Sequence, residues 1–274
     1  MIVGIVGGGF CGSATALMFS HIQTKTYDVD VSRCSQGVTS LNDLDDCDII
    51  MICVNTPMIA KTGESYTAIV EKVIEQIRAN LRGEIVICVR STVPVGFSER
   101  MGTVAFCEYL TEANWQQDVL NTKEWIIGID ADRRDYIITL FESVAPAHIQ
   151  RSYISTKECE MINYMRNCFL ATKVSFCNEI ESFCRTKDIA YDTVREYATH
   201  DTRIGTSHTL VPGPDGKRGF ALSCFPKDLA SLKYQMDSVD GCKCSSAIIS
   251  SVIHRNNTID RPEQDWSQDK RAMI

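Results

Sequence analysis

Two kinds of hydrophobic pattern divide the chain of 274 residues. In the first half, short runs of consecutive apolar and β-branched residues alternate with segments of helical periodicity, which is typical of strands buried on both faces of a sheet. The runs cover residues 2–6, a segment ending near residue 28, and residues 47–57, 83–96, 102–110 and 124–129, with a last short strand near residues 147–152. Alternating strands and helices predict an α/β fold with a doubly wound parallel sheet.

The second half carries helical patterns. Residues 155–186 contain no glycine or proline, and their apolar positions form a wide stripe, which predicts one long, central and buried helix. Shorter helices are expected over residues 191–201, 227–237 and 245–257, with a Gly- and Pro-rich loop over residues 202–220 and a frayed polar end from residue 261. We therefore expect two domains, the sheet in residues 1–150 and an all-helical domain in residues 151–274.

Composition and charge narrow the classes of partner. The net charge is −7 and no lysine- and arginine-rich run occurs, which argues against nucleic acid or an anionic membrane as the main partner. No apolar run approaches the roughly 20 residues of a membrane span, and the glycine-broken N-terminus lacks the basic region of a signal peptide. The 13 cysteines are irregularly spaced, with Cys242 and Cys244 as the closest pair, so we expect reduced thiols in a cytoplasmic protein and no metal site.

A glycine-rich turn follows the first apolar run. Gly7, Gly9 and Gly12 fit the spacing G-x-G-x-x-G between a strand and a helix, where glycine permits a tight turn and close approach of a pyrophosphate. Asp28 lies 21 residues after Gly7, near the offset of about 20 residues expected for a carboxylate that binds the adenosine ribose, and Asp30 is a competing position. A carboxylate there would repel a 2′-phosphate. These features predict a Rossmann-like domain that binds NAD rather than NADP.

Polar residues occur at two strand ends and within the long helix. Residues 55–56 and 91–92 follow buried runs, and ligands of such sheets bind at the carboxyl ends of strands, although ordinary turns use the same residue types. Asn163 and Asn167 lie four positions apart and therefore share a helix face. Two amides in so apolar a helix require partners, which are either a ligand or neighbouring structural groups.

Several further stretches complete the pattern, and they are spread over nearly the whole chain. In chain order they are the turn 7–12 with Asp28 and Arg33, VNTP (54–57), STVPVG (91–96), EYLTEANWQQD (108–118), RNCFLATKVSFCNE (166–179), DTRIG (201–205), VPGPDGKRGF (211–220) and SCFPKD (223–228). Together they resemble the UDP-glucose 6-dehydrogenases, which belong to the nucleotide-sugar dehydrogenases that oxidise an alcohol to a carboxylate. The stretch CFPKD favours the UDP-glucose branch over the GDP-mannose branch.

The resemblance implies a reaction. Two NAD⁺ oxidise C6 of the sugar through an aldehyde, a thiohemiacetal and a thioester, which water hydrolyses to UDP-glucuronate. Cys224 would be the nucleophile, because sulfur is nucleophilic near neutral pH and forms a hydrolysable acyl intermediate. Asp228 would act as a base or orient the water, and Asn167 would donate to the oxyanion. The remaining implied catalytic positions are Glu108 and Thr92, which order the water, and Asn163.

The resemblance also implies binding residues. Those for NAD are Gly7, Gly9, Phe10, Cys11, Gly12, Asp28, Arg33, Val54, Asn55, Thr56, Ser91, Thr92 and Glu112. Those for the nucleotide-sugar are Tyr109, Leu110, Asn167, Arg203, Phe220 and Lys227. The family forms dimers, and the apolar breadth of the long helix agrees with a homodimer in which Arg203 reaches the partner's substrate.

The sequence departs from the family pattern at four places. The family carries a lysine at the position of Asn163, and losing a charged donor that stabilises the alkoxide costs on the order of 3 kcal/mol. Ala221 and Leu222 replace two glycines in the loop before the cysteine. An Asn-Pro pair of the family has become Phe106-Cys107. The sequence also ends where most members continue into a second Rossmann-like domain that helps to hold the UDP, so we expect a short form.

These departures leave three hypotheses open. The first is an NAD-dependent UDP-glucose 6-dehydrogenase. The second is a catalytically impaired or inactive homologue that binds NAD or a nucleotide-sugar. The third is a sister enzyme for another nucleotide-sugar, such as UDP-N-acetylmannosamine or GDP-mannose. For Cys224, a buried structural thiol is the alternative to a nucleophile.

Overall fold

The computed structural model describes residues 1–130, 133–239 and 245–274. Cys242 and Cys244, the closest pair of cysteines, lie outside the described residues. The chain divides into a unit of Met1–Thr56 with Tyr66–Asn163, here called the sheet unit, and a unit of Pro57–Ser65 with Tyr164–Ile274, called the helical unit. The boundary between residues 150 and 151, as a border between independent domains, stays a prediction.

The strands of the sheet unit form a single sheet. Among the described residues it has seven strands, which are β1 (Ile2–Val6), β2 (Gln23–Tyr27), β3 (Ile49–Ile52), β4 (Val86–Val89), β5 (Val104–Phe106), β6 (Glu124–Gly128) and β7 (Gln150–Ile154). They lie in the order β2-β1-β3-β4-β5-β6-β7, and neighbours are parallel except for β5 and β6. The predicted α/β fold is confirmed, with one antiparallel pair that the apolar runs did not indicate, because such a run has the same pattern in either direction.

Burial on both faces explains the unbroken apolar runs. Helices α1 (Phe10–Met18), α2 (Ala68–Asn80), α3 (Phe97–Met101), α4 (Trp115–Asn121) and α5 (Arg134–Val144) alternate with the strands. In β3, Ile49 and Met51 belong to one hydrophobic cluster while Ile50 and Ile52 belong to another, and all four are fully buried. Alternate side chains of a strand point to opposite faces, so both faces of the sheet are covered.

The long helix has the predicted length but not the predicted burial. It is α6, Thr156–Thr186, without interruption. Five of its large apolar side chains are exposed by between 40% and 67%, namely Met161, Met165, Phe169, Phe176 and Phe183. The prediction of a central helix is confirmed, and the prediction that it is buried is wrong for this face. The apolar stripe in the sequence identifies the hydrophobic face of the helix. It does not show whether other residues of this chain cover that face.

The helical unit builds a core of its own. Its other helices, in the part that the structure describes, are α7 (Tyr191–Ala198), α8 (Cys224–Asp237) and α9 (Ala247–Arg255), and a π-helical turn, Asn256–Asp260, follows α9. The core consists of Tyr164, Cys168, Ala171, Phe220, Leu229, Leu232 and Val252. It therefore joins the middle of α6 to α8, α9 and the loop before α8.

The end of the chain is ordered against a distant segment, so the prediction of a frayed end is wrong. The N–H of Met58 donates to the carbonyl oxygen of Ala272 at 2.8 Å, and the N–H of Ile274 donates to that of Met58 at 2.9 Å. Trp266 and Ala272 are buried in a cluster with Met58. Polar residues dominate this end, and the partner that orders it lies more than 200 residues earlier, where a local pattern cannot show it.

Candidate functional site

The turn between β1 and α1 requires glycine. Gly7 has φ +102°, and a Cβ there would lie 2.6 Å from the carbonyl oxygen of Cys53, while a Cβ on Gly12 would lie 1.8 Å from that of Gly7. A Cβ on Gly9 would meet no described atom within 4 Å, so the backbone faces open space there. Helix α1 begins at Phe10 and directs its positive dipole end towards the turn. The turn therefore fits a pyrophosphate.

The carboxylate after β2 lies against this turn. Asp28 accepts the N–H of Gly8 at 2.6 Å and that of Asp30 at 2.8 Å. A Cβ on Gly8 would lie 2.7 Å from the Cβ of Arg33, so Arg33 also borders the turn. Asp30 instead binds Ser32 and, at 3.3 Å, Arg33. Of the two candidates for the ribose carboxylate, Asp28 is the one that contacts the glycine-rich turn.

The polar residues after β3 and β4 lie together at the carboxyl edge of the sheet. Thr56 Oγ1 donates to the carbonyl oxygen of Thr92 at 2.6 Å, and Ser91 Oγ donates to that of Val54 at 2.6 Å. Asn55 is exposed beside them. The structure thus brings the two predicted polar segments to one edge, as expected for ligand-binding ends of parallel strands.

The segment after β5 approaches the start of α6. The N–H of Glu108 lies 3.4 Å from Asn163 Oδ1, and the Glu108 carboxylate accepts the N–H of Leu110. Tyr109 and Glu112 belong to the same segment. Asn163 is 7% exposed and borders a cavity of about 10 Å³, which is close to the smallest space that can hold one water molecule. Asn163 is therefore a neutral, buried group at the position where the resemblance implies a lysine.

In the helical unit, the predicted thiol stands at a helix start with a carboxylate one turn later. Cys224 is the first residue of α8, where the helix dipole favours a thiolate. Asp228 is 2% exposed, and its two oxygens accept Lys227 Nζ at 2.5 Å and Asn167 Nδ2 at 2.6 Å. Asn167 and Asp228 are 61 positions apart, and the structure joins them directly. We call Asn167, Cys224, Lys227 and Asp228 the thiol cluster.

Charge within the thiol cluster favours an ammonium on Lys227. Burial acts to lower the Lys227 pKa, but the negative charge of Asp228, the nearby Cys224 sulfur and the hydrogen bond to Asp228 outweigh it and raise that pKa above its ordinary value. Burial, followed by the charge of Asp228, raises the pKa of Tyr164 to about 12. Tyr164 accordingly keeps its proton at neutral pH and shares a hydrogen bond of 2.9 Å with Ser231.

Two predicted substrate residues have other surroundings. The Phe220 side chain is 6% exposed in the core of the helical unit, and its ring lies 6.0 Å from that of Phe225. The exposed Arg203 is bound by Asp201 at 2.6 Å. Sequence reasoning missed Asn256, which accepts the N–H of Phe220 at 2.9 Å and donates to its carbonyl oxygen at 3.1 Å. A polar residue in a helical turn 36 positions away gave no signal of this contact.

Leu222, in the loop before α8, has φ +60° and a side chain that is 59% exposed. This conformation costs a residue with a Cβ about 1–2 kcal/mol, while glycine loses about 0.5–1 kcal/mol more chain entropy on folding. We therefore expect Leu222→Gly to raise the free energy of unfolding by about 0.5–1 kcal/mol in urea denaturation. Ala221→Gly is the matched control, since Ala221 is not among the residues with positive φ, and it should lower that free energy. Equal destabilisation by both variants would contradict the strain at Leu222.

Two features are absent from the described residues. No helix within them is long and apolar enough to cross a membrane. They also contain no group of three or more His, Cys, Asp or Glu side chains placed to hold a metal ion. None of the 11 cysteines that the structure describes forms a disulfide bond.

The fold and the turn define a class of protein. A Rossmann-like sheet with a glycine-rich turn and a carboxylate after β2 that contacts it, followed by a helical unit, is the architecture of an NAD-dependent dehydrogenase. Two models of one family match the chain: the UDP-glucose/GDP-mannose dehydrogenase family NAD binding domain over residues 36–145, and the central domain of that family over residues 157–258. The chain belongs to the UDP-glucose/GDP-mannose dehydrogenase family. The cofactor predicted from Asp28, NAD, is thereby confirmed.

Individual relatives agree with the family. A UDP-glucose 6-dehydrogenase of Bacillus subtilis, TuaD, is 30% identical over 84% of this chain and 58% of its own length. A UDP-glucose 6-dehydrogenase of Pseudomonas aeruginosa is 28% identical over 83% of this chain and 52% of its own. The structure of a UDP-glucose dehydrogenase from Pyrobaculum islandicum, 22% identical, has a similar fold with a TM-score of 0.78 over 94% of this chain and 68% of that chain. The chain spans about half the length of the curated relatives that it matches.

Proposed function

We propose that the chain catalyses the NAD-dependent oxidation of UDP-glucose to UDP-glucuronate. The thiol cluster is the observation that carries this proposal, because it places a thiol at a helix start within electrostatic reach of a buried ammonium, whose carboxylate partner is also held by an amide. An oxidation that stops at a ketone or an aldehyde needs no such thiol, whereas oxidation to a carboxylate uses it to form an acyl intermediate. The names of the relatives support UDP-glucose as the sugar nucleotide.

Each residue of the thiol cluster has a role in this reaction. NAD⁺, when bound at the glycine-rich turn, would supply the hydride acceptor for each of the two oxidations. Asp228, held between Lys227 and Asn167, accepts the proton of the C6 hydroxyl. The Cys224 thiolate then forms a carbon–sulfur bond to the aldehyde, and the carbonyl electron pair moves to the oxygen. Asn167 has a second Nδ2 hydrogen for that oxyanion, beyond the one donated to Asp228.

Hydrolysis completes the sequence and returns the thiol. After the second hydride leaves, water adds to the thioester, the carbon–sulfur bond breaks, and the carboxylate leaves with the thiolate restored. The sum is one alcohol, two NAD⁺ and one water converted to one carboxylate, two NADH and three protons. The Lys227 ammonium favours the thiolate in both steps, because it stands close enough to the sulfur for their charges to interact. We assign Glu108 and Thr92 to the ordering of the water, following the resemblance.

A panel of nucleotide-sugars tests the assigned substrate. Purified protein with NAD⁺ is mixed in turn with UDP-glucose, UDP-N-acetylmannosamine and GDP-mannose, and NADH is followed at 340 nm. The proposal predicts the largest kcat/KM for UDP-glucose. A larger value for one of the other two sugars would assign the chain to a sister activity of the same family, and the proposed substrate would be wrong.

We also propose that the chain forms a homodimer through the exposed face of α6. Met165, Phe169, Phe176 and Phe183 are spaced by four and seven residues, which keeps them on one face, here called the α6 stripe. Beside it, a groove of about 400 Å³ is lined by Phe176, Ile248 and Val252 among others. A contiguous apolar surface of this kind is typical of a protein–protein interface.

Phe176→Glu is therefore expected to convert the dimer to a monomer, because a carboxylate would be buried at the centre of the stripe without a partner. Sedimentation velocity at a fixed protein concentration measures the change. Tyr197→Glu is the matched control, since Tyr197 is 66% exposed on α7, outside the stripe, whereas Phe176 is 62% exposed. A monomeric unaltered protein, or a dimer that persists in Phe176→Glu, would contradict this interface.

A further inference from the structure

Arg90 is a buried cation whose charge lacks an adequate partner. It follows β4 directly and is 3% exposed. Its Nε and Nη1 atoms make no hydrogen bond with any described residue. The guanidinium carbon lies 4.8 Å from the ring centroid of Phe106. The face of a ring is a weak partner for a charge removed from water, so a residue in this state indicates that a further partner binds there.

The surroundings place this charge at the cofactor edge of the sheet. The backbone N–H of Arg90 donates to the carbonyl oxygen of Ile52 at 2.9 Å, which fixes the residue beside the end of β3. Its charge acts electrostatically on the thiols of Cys11, in the first turn of α1, and of Cys53, directly after β3. Phe106 is the last residue of β5. Arg90 thus lies among the strand ends that follow the glycine-rich turn across the sheet.

We propose that Arg90 is a binding residue for the nicotinamide half of NAD, whose oxygen atoms accept its guanidinium N–H groups. Asp28 after β2 marks the adenosine side, and the turn after β1 takes the pyrophosphate, so the ends of β3, β4 and β5 remain for the nicotinamide nucleotide. A guanidinium offers five N–H donors and suits phosphate, carbonyl and hydroxyl oxygens. The inference rests on NAD as cofactor and is independent of the sugar.

A protein group is the competing partner for the charge. Cys53 accepts or donates a hydrogen bond with Thr15 at 3.4 Å, and an ionised Cys53 thiolate could pair with Arg90 instead of a ligand. In that case Arg90 would control the reactivity of Cys53 and have no effect on the cofactor. Loss of the Arg90 charge would change the Kd for NAD⁺ under the first assignment and the alkylation rate of Cys53 under the second.

The test uses Arg90→Met, which keeps a long side chain over Phe106 and removes the charge. Isothermal titration calorimetry gives the Kd for NAD⁺, ADP-ribose and AMP. We expect Kd for NAD⁺ to rise about tenfold or more while Kd for AMP stays within twofold. A parallel rise for ADP-ribose places the acceptor on the ribose phosphate, and a rise for NAD⁺ alone places it on the carboxamide. The thermal midpoint of the ligand-free variant should stay equal or rise, because a buried charge without an adequate partner has been removed.

Arg100→Met is the matched control. Arg100 also lies over a ring, 5.0 Å from the centroid of Phe97, but it is exposed and paired with Glu71. It should leave all three Kd values unchanged. Arg90→Gln replaces the methionine variant if that variant does not fold.

Three outcomes would overturn the assignment of Arg90. They are an unchanged Kd for NAD⁺, an equal loss of AMP binding, and slower alkylation of Cys53 with the Kd values unchanged. If the unaltered protein fails to bind NAD⁺, the cofactor itself is wrong and the proposal fails with it. If it binds NAD⁺ and Arg90→Met binds it equally well, only the assignment of Arg90 fails.

Discussion

Replacement of Cys224 by alanine is expected to lower steady-state NADH formation from UDP-glucose by at least about a thousandfold, because a nucleophile that acts with its neighbours as a unit accounts for a loss of this order or more. The thiol forms the acyl intermediate, so the variant has no route past the aldehyde. A single-turnover experiment should therefore yield at most one NADH per sugar. Stopped-flow absorbance at 340 nm measures both quantities.

Cys184→Ala provides the control, because it makes the same chemical change at a buried cysteine of α6 and should leave the rate unchanged. In the unaltered protein, mass spectrometry after limited iodoacetamide treatment should find Cys224 modified first, with NAD⁺ and UDP-glucose together protecting it. A Cys224→Ala variant that keeps the normal rate, or an unreactive Cys224 beside another thiol that reacts first, would show that Cys224 is a structural cysteine.

The second large expected effect is an increase in kcat. Asn163→Lys is expected to raise kcat by roughly a hundredfold, since a charged donor to a developing alkoxide contributes on the order of 3 kcal/mol. Asn163 is buried, and its neighbour Glu160, one turn earlier on α6, carries a buried carboxyl group that can balance the new charge. Burial raises the pKa of Glu160, although the backbone N–H groups of Ser98 and Gly96, which its two oxygens accept, act in the opposite direction.

Asn163→Gln is the matched control, because it keeps a neutral amide and should leave kcat within a few-fold of the original. If the unaltered protein has no activity and the Asn163→Lys variant has some, the chain is an impaired homologue, as the second hypothesis from the sequence states. If the lysine variant is no faster than the glutamine variant, Asn163 does not occupy the position that stabilises charge.

The features that the sequence predicted correctly are those set by local chemistry. The glycine-rich turn followed from its local spacing, because a Cβ on Gly7 or Gly12 would collide with the backbone, while Gly9 faces open space. The extent of α6 followed from its uninterrupted periodicity. At Leu222, which replaces a family glycine, the structure finds φ +60°, a backbone conformation that favours glycine.

The features that were missed depend on contacts between distant residues. The antiparallel direction of β6 and the pairing of the chain end with Met58 are set by segments far away in sequence. The sequence could not show that the α6 stripe is exposed, because an exposed apolar face and a buried one have the same pattern of residues. Arg90 follows the four apolar residues of β4, and only the fold shows that its guanidinium is buried over Phe106.

The most direct test of the proposed function counts NADH. Limiting UDP-glucose is oxidised to completion by purified protein with excess NAD⁺, and the NADH formed is divided by the sugar supplied. We predict two NADH per sugar, with UDP-glucuronate as the product, because the thiol cluster carries the aldehyde on to the carboxylate. One NADH per sugar, or none although NAD⁺ binds, would contradict the proposed function of the thiol cluster.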